Sequence, residues 1–260
     1  MISEMVKGNI DASEMVVQQK LNKLFYLPAK PELEAEMIIK QANQDRVRTG
    51  LHLSAILAGE KEFCYREQIL SLFYHMHQGD NIQIGLKRIF QEGTTIGEKW
   101  QRLFLRGGLG AVQDMDMSRF EPKYDLSYTP DAIITIGKHK YVCEIKSQNT
   151  FIYAKAKGHP SGEKQCRLYM YLSGIDKGFV LVDNKNDSNF KTIMLENDRD
   201  LILPYIERLE AIQVYKKDFV ENKNPPKRIC SDEHCKRAKD CNMRDACFNI
   251  GEGRKKLKKS

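Results

Sequence analysis

The 260-residue chain predicts an α/β protein: a helical region first, then a small mixed sheet flanked by helices, then a cysteine-rich end. Three observations predict it. Apolar residues recur at helical spacing up to Leu105. After Gly107-Gly108, short β-branched runs alternate with helical stretches. Four of the seven cysteines then crowd into the 18 residues from Cys230 to Cys247.

The elements follow in order. Residues 1–25 read as a helix that Pro28 and Pro31 stop, and Glu32 to Asn43 as a second. Thr49-Gly50 breaks the chain before Leu51 to Gly59, and further helices run from about Glu62 to Gln78 and from Ile82 to Leu105. Ala132–Ile136 and Tyr141–Ile145, joined by the turn-like Gly137–Lys140, read as a hairpin. Gly162–Leu172 is a helix, Gly178–Asp183 a buried strand and Lys191–Leu195 another. Leu201–Phe219 closes the series as an amphipathic helix with Leu201, Tyr205, Leu209, Ile212 and Tyr215 on one face. Gly107-Gly108 and Pro225-Pro226 give the expected divisions: 1–106 helical, 107–220 the core, 221–260 the cysteine segment.

The charge is distributed unevenly. Lys216–Ser260 holds 14 Lys and Arg against 7 Asp and Glu, so it carries the whole net +7 and the preceding residues balance at zero. A basic end on a neutral body points to a polyanion, nucleic acid first, with Lys255, Lys256, Lys258 and Lys259 the candidate contacts. A solvated tail is the other reading of those lysines. No stretch approaches the roughly 20 apolar residues of a membrane helix, and Met1–Asn22 lacks a signal-peptide core. The expectation is a cytoplasmic protein, with no membrane partner.

The chemistry concentrates in Tyr128–Ser147, YTPDAIITIGKHKYVCEIKS. Asp131 opens one hairpin strand, and the returning strand brings Glu144 back towards it. Side chains alternate on a strand, so Glu144 and Lys146 share a face. Two carboxylates and an amine then converge at one end of a sheet. Paired carboxylates are hard ligands for Mg²⁺ or Mn²⁺, and a neighbouring lysine can orient water and stabilise phosphorane oxyanions. An exposed hairpin bearing a Glu–Lys surface pair is the alternative.

These residues resemble the PD-(D/E)XK nuclease superfamily, with Pro130-Asp131 as its PD and Glu144-Ile145-Lys146 as its E-x-K. Gln165 to Tyr169 resembles the Q-x-x-x-Y motif of the RecB-like branch, and a spacing of four puts both on one helical face. The resemblance implies a restriction-endonuclease-like core and a metal-dependent DNA nuclease. Asp131 and Glu144 would hold the metal, Lys146 would position water, and Gln165 and Tyr169 would support them. One element departs: the family's early G-x-x-I-H-E pattern reads Gly93-Thr94-Thr95-Ile96-Gly97-Glu98 here, with Gly97 in place of His. Either Glu98 takes over as ligand or the site has one protein ligand fewer; His75 and His77 are further candidates, read first as ordinary polar positions on a helix.

An odd cysteine count without an export signal argues against a disulfide framework, and clustered thiols on a polar segment suit a metal. The C-x₂-C knuckle of most zinc sites is absent. Within the RecB-like branch, iron–sulfur nucleases resemble this pattern, with one cysteine before the core and three after it. Leu53-Ser54 through Cys64-Tyr65-Arg66 is similar to their Ser…Cys-x-Arg segment. By that resemblance Cys64, Cys230, Cys241 and Cys247 would ligate a 4Fe-4S cluster or Zn²⁺, stapling the C-terminal segment back to Cys64, with Cys235 as substitute for Cys230. Cys143 and Cys166 read as core thiols. The resemblance further implies an exonuclease acting on single strands or duplex ends in recombination, replication or repair, phage-encoded, with a recombination or replication protein as partner. The alternative is a nuclease-fold DNA-binding scaffold or regulatory subunit with a weakened site.

Overall fold

The computed structural model describes residues 12–44, 51–74 and 84–249, which divide into two compact units. One holds residues 12–44, 84–119 and 128–201; the other holds 51–74, 120–127 and 202–249. The first carries α1 (Ala12–Leu24) and α2 (Pro31–Asn43). The second opens with β1 (Leu51–His52), α3 (Leu53–Ile56) and α4 (Tyr65–Phe73). The long α5 (Ile84–Arg106) returns to the first unit, followed by a 3-10 turn at Val112–Asp114. Short strands β2 (Arg119–Glu121) and β3 (Leu126–Tyr128) precede the hairpin β4 (Ala132–Ile136) and β5 (His139–Gln148). Then come α6 (Thr150–Lys155), α7 (Pro160–Ser173), β6 (Lys177–Asn184), β7 (Phe190–Glu196), α8 (Arg199–Asn222), α9 (Lys236–Asp240) and α10 (Arg244–Asn249).

The first unit is built on a four-stranded mixed sheet in the order β4-β5-β6-β7. The hairpin forms as its sequence demands. Gly137 takes φ +62° at the first position of a two-residue turn, where a side chain would be strained. β5 and β6 run parallel, with Glu144 beside Val180 and Lys146 beside Val182. That parallel pair requires a crossover, which α6 and α7 supply. His159 caps α7, its Nδ1 accepting from Gly162 N at 3.1 Å, and Pro160 follows at the first helical position. α1 and α5 cover one face of the sheet and α7 the other. Trp100, Phe104, Leu21 and Leu24 pack with Cys143 and Ile145 in the core between α1, α5 and the strands. Alternation therefore turns Glu144 and Lys146 to the α7 face. The expected α/β class, a small mixed sheet flanked by helices, is what the protein has.

The second unit contains a three-stranded sheet, order β1-β3-β2, with Leu51 paired to Leu126 and His52 to Ser127 in parallel. These strands of two or three residues fell outside the sequence expectation, being too short to show periodicity. α8 exists as expected, but its buried face is Ile202, Ile206, Leu209, Ile212 and Phe219, while Leu201 and Tyr215 are 54% and 37% exposed. Two apolar stripes overlap on this helix, and the one that fits the 3.6-residue period to the core wins. Among the described residues no helix is long and apolar enough to cross a membrane.

Candidate active site and cysteine cluster

The first unit holds a cleft of about 640 Å³, and Asp131, Glu144, Lys146, Gln165 and Glu98 all line it. Asp131 lies immediately before β4, and its Oδ2 accepts the Ile145 N–H at 2.6 Å, which ties the acid across the hairpin to β5. Glu144, 1% exposed, meets Lys146 Nζ at 2.5 Å through Oε1. Its Oε2 is buried with no hydrogen-bond partner among the described residues. Lys146 Nζ also donates to Gln165 Oε1 at 3.2 Å, and Gln165 Nε2 reaches Tyr169 OH at 2.9 Å. The helical spacing of Gln165 and Tyr169 thus turns one face of α7 onto the lysine. α7 can approach this closely because Gly162 has no side chain: a Cβ there would lie 3.1 Å from Lys146 Cγ and from Val180 Cγ1, and 3.0 Å from His159 Nδ1.

Burial dominates the electrostatics. It pushes Asp131 up to about 6, against the Ile145 N–H and Lys146, while Asp116 adds repulsion. Burial pushes Glu144 well above the carboxylate range, Asp131 adding to it and Lys146 opposing. Burial works against the charge of Lys146, but Glu144 outweighs it and holds the amine above its ordinary value. Burial, then Glu144, raises Tyr169 far up, so its phenol stays protonated.

Three residues in this cleft escaped the sequence reading. Asp116 lines it at φ +49°, a left-handed conformation that aspartate tolerates. Its N–H donates to the Asp131 carbonyl at 3.0 Å. Gln101, on α5 and 4% exposed, donates through Nε2 to the same carbonyl at 3.0 Å. Gln41, on α2, donates to Gln101 Oε1 at 3.1 Å and to the Met115 carbonyl at 3.2 Å. Only the helical phase of Gln101, four residues from Gly97 and three from Glu98, signalled that it would face the same way.

A carboxylate pair of which one member is buried with an orphaned oxygen suits a hard cation. Among the described residues no three His, Cys, Asp or Glu side chains converge to hold an ion. Asp131 and Glu144 would therefore leave most positions of an Mg²⁺ or Mn²⁺ to water and phosphate, as Mg²⁺ sites commonly do. Glu98 pairs with Arg102 at 3.3 Å on the cleft wall. An added Cβ at Gly97 would meet nothing within 4 Å, so the missing histidine leaves open space in the cleft. His75, His77, Lys255, Lys256, Lys258 and Lys259 lie outside the described residues.

In the second unit Cys64, Cys230, Cys241 and Cys247 line one small cavity of about 20 Å³. Cys235 stands aside, its Sγ accepting the Ala238 N–H at 3.4 Å and its thiol hydrogen-bonded to Cys230. Arg66, buried, donates through Nε to Cys247 Sγ at 3.1 Å, through Nη2 to the Cys247 carbonyl at 3.0 Å and through Nη1 to the Pro226 carbonyl at 3.0 Å. Burial pushes the Cys241 thiol up to about 12 and raises Cys247, which Arg66 pulls back. Cys143 and Cys166 are fully buried in the first unit.

No protein-family model matches the chain, and no curated protein matches it. Solved structures do. The chain is similar to the alkaline exonuclease LHK-Exo of Laribacter hongkongensis, at 16% identity and TM-score 0.46 over 67% of this chain and 91% of that one. LHK-Exo in complex with dAMP matches at 16% and 0.49, over 74% and 95%. The structure of SSO0001 matches at 13% and 0.39, over 89% and 95%.

Proposed function

We propose that the protein is a metal-dependent deoxyribonuclese-type phosphodiester hydrolase of the RecB-like branch, with Asp131, Glu144 and Lys146 as its catalytic centre. One observation carries this reading: Glu144 is buried beside the half-buried Asp131, held at Oε1 by Lys146 and unpartnered at Oε2 among the described residues. Such an arrangement costs stability unless a cation completes it, and costly ionisable clusters in clefts mark functional sites. Asp131 and Glu144 would hold Mg²⁺ or Mn²⁺, with Glu98 as a further acid on the wall. When bound, the ion supplies an acidified water and offsets charge on the phosphate. Lys146 orients the attacking water and meets the oxyanion charge that develops at phosphorus. Gln165 fixes the lysine amine, and the protonated Tyr169 holds Gln165.

The substrate is DNA, single-stranded or at duplex ends, and the enzyme is an exonuclease serving recombination, replication or repair, in a phage-infected or bacterial cytoplasm. Residues 107–220 would form the nuclease core, with 1–106 as a helical region and the basic 221–260 segment, Lys255, Lys256, Lys258 and Lys259 included, on the DNA backbone. The four thiols of the second unit would hold a 4Fe-4S cluster. All four line one small cavity, which supports a shared metal group there, with Zn²⁺ the alternative to the cluster.

The test is anaerobic purification followed by cleavage of end-labelled single- and double-stranded DNA with Mn²⁺, Mg²⁺ or EDTA. Metal-dependent cleavage that disappears in Lys146→Ala while DNA binding survives supports the enzyme. DNA bound without cleavage under either metal makes the protein a nuclease-fold scaffold or regulatory subunit instead. Iron and sulfide per chain, measured on the same sample, decide between cluster and zinc.

A further inference from the structure

A second cleft, of about 700 Å³, adjoins the first across α5 and is lined by Arg88, Gln91, Glu92, Thr95, Lys185 and Asn186. Ile96 lines both clefts, so the helix is the partition between them. α5 shows one side, Gly93, Gly97, Glu98 and Gln101, to the acidic cleft and the other, Arg88, Gln91, Glu92 and Thr95, to the second.

The opposite wall of the second cleft is joined directly to the catalytic strand. Lys185 N donates to the Gln148 carbonyl at 3.1 Å, and Asn186 Oδ1 accepts from Thr150 N at 3.0 Å. Gln148 lies two residues beyond Lys146 on β5, which is about 7 Å along a strand.

The two clefts differ in charge. The first is lined by four acids, Glu98, Asp116, Asp131 and Glu144, against Lys146 alone. Its acids suit the cation, so the neighbouring phosphates of a polyanion call for a basic wall elsewhere. The second offers Arg88 and Lys185 against Glu92, which pairs with Lys185 at 3.4 Å. Besides Ile96, its remaining lining is amide and hydroxyl, the groups that meet sugar and base edges.

We propose that this second cleft is a nucleic-acid subsite, which takes the DNA strand on one side of the cut phosphate. Arg88 and Lys185 contact phosphates there, the strand displacing Glu92 from Lys185, while Gln91, Thr95 and Asn186 face sugar and base. The assignment rests on the nuclease reading of the first cleft and deepens it: the substrate is a strand several nucleotides long, and a dinucleotide, whose single phosphate is the one cut, has none left for Arg88 or Lys185.

The experiment compares the parent with an Arg88→Ala/Lys185→Ala variant; both side chains are solvent-facing, so folding is not at stake. Binding of a fluorescein-labelled 12-nucleotide single strand is measured with Ca²⁺ in place of the catalytic ion, across a salt series. Cleavage of the 12-mer and of a dinucleotide is measured with Mn²⁺. The variant should bind about tenfold more weakly, its slope of log affinity on log salt should flatten by about 1.4, two contacts at about 0.7 each, and its 12-mer cleavage should fall while dinucleotide cleavage holds. An unchanged affinity and slope in an active enzyme overturns the subsite. A flattened slope in a protein whose parent cleaves nothing keeps the subsite and overturns the nuclease. A parent that binds no strand overturns both.

Discussion

Lys146 Nζ stands 2.5 Å from Glu144 Oε1, while the other oxygen of that carboxylate is buried without a hydrogen-bond partner among the described residues. Glu144 is therefore half satisfied. Desolvating a carboxylate costs several kcal/mol, and one amine at one oxygen offsets only part of it. Asp131 repels it further. The fold maintains a strained electrostatic arrangement, which is stable only because the surrounding sheet and α7 are well packed.

Glu144→Gln should separate stability from function. The amide keeps the shape, removes the buried charge and leaves Lys146, 27% exposed, able to reach water. Without added metal the variant should melt higher than the parent by a few degrees, corresponding to about 1 kcal/mol. Its cleavage should fall to background and its melting temperature should no longer respond to Mn²⁺. A variant that melts lower in EDTA would mean that the charged pair stabilises the fold.

The pH dependence has a definite sign. Asp131 titrates near 6 in the folded protein against 3.8 ordinarily. A raised folded value means stability fully present below about 3.8 and lost as pH rises through about 6. Glu144, pushed higher still by burial, extends that loss upward. A cation binds the ionised pair only, so Mn²⁺ should raise the melting temperature more at pH 8 than at about pH 5. Melting the parent and Asp131→Asn side by side from pH 4 to 8 isolates the group. Their difference should move in favour of the asparagine variant as pH rises, and a constant difference would remove Asp131 from the account.

The placement of the hairpin's acids and lysine was legible because it is local. Asp131, Glu144 and Lys146 lie within 16 residues, and strand alternation alone turns the last two to one face. Gln165 and Tyr169 were legible from their spacing of four. Asp116, Gln41 and Gln101 were not, because their roles come from packing between distant segments: Gln41 meets residues 60 and 74 positions away. The phase of α8 failed for another reason. Leu201, Tyr205 and Tyr215 are apolar enough to suggest a stripe, and only the core chooses Ile202, Ile206 and Phe219 instead.

Gln101→Ala tests one of the residues the sequence concealed. Its amide joins α2 to the carbonyl of Asp131, so its loss frees the acid rather than removing it. Groups that orient a metal ligand are commonly worth 10- to 100-fold in metal affinity. The Mn²⁺ concentration for half-maximal cleavage should rise by about that factor, with the rate at saturating Mn²⁺ changed much less. A lowered saturating rate at unchanged Mn²⁺ requirement would assign Gln101 to the reaction itself.

Arg66 provides the corresponding test in the cysteine-bearing unit. One guanidinium serves three acceptors at once, Cys247 Sγ, the Cys247 carbonyl and the Pro226 carbonyl, at 3.0 to 3.1 Å. Lysine cannot reproduce that fork, so Arg66→Lys leaves buried acceptors unpaired at about 1–3 kcal/mol each. It keeps the charge but removes the Nε–H hydrogen bond that helps to offset the burial of the Cys247 thiol, which should then give up its proton less readily to a metal. Arg66→Lys should therefore melt several degrees lower and retain less iron per chain than the parent. Cys235→Ala, which touches a thiol outside the four-cysteine cavity, should retain as much iron as the parent. Equal iron in Arg66→Lys, or lost iron in Cys235→Ala, would reassign the ligands.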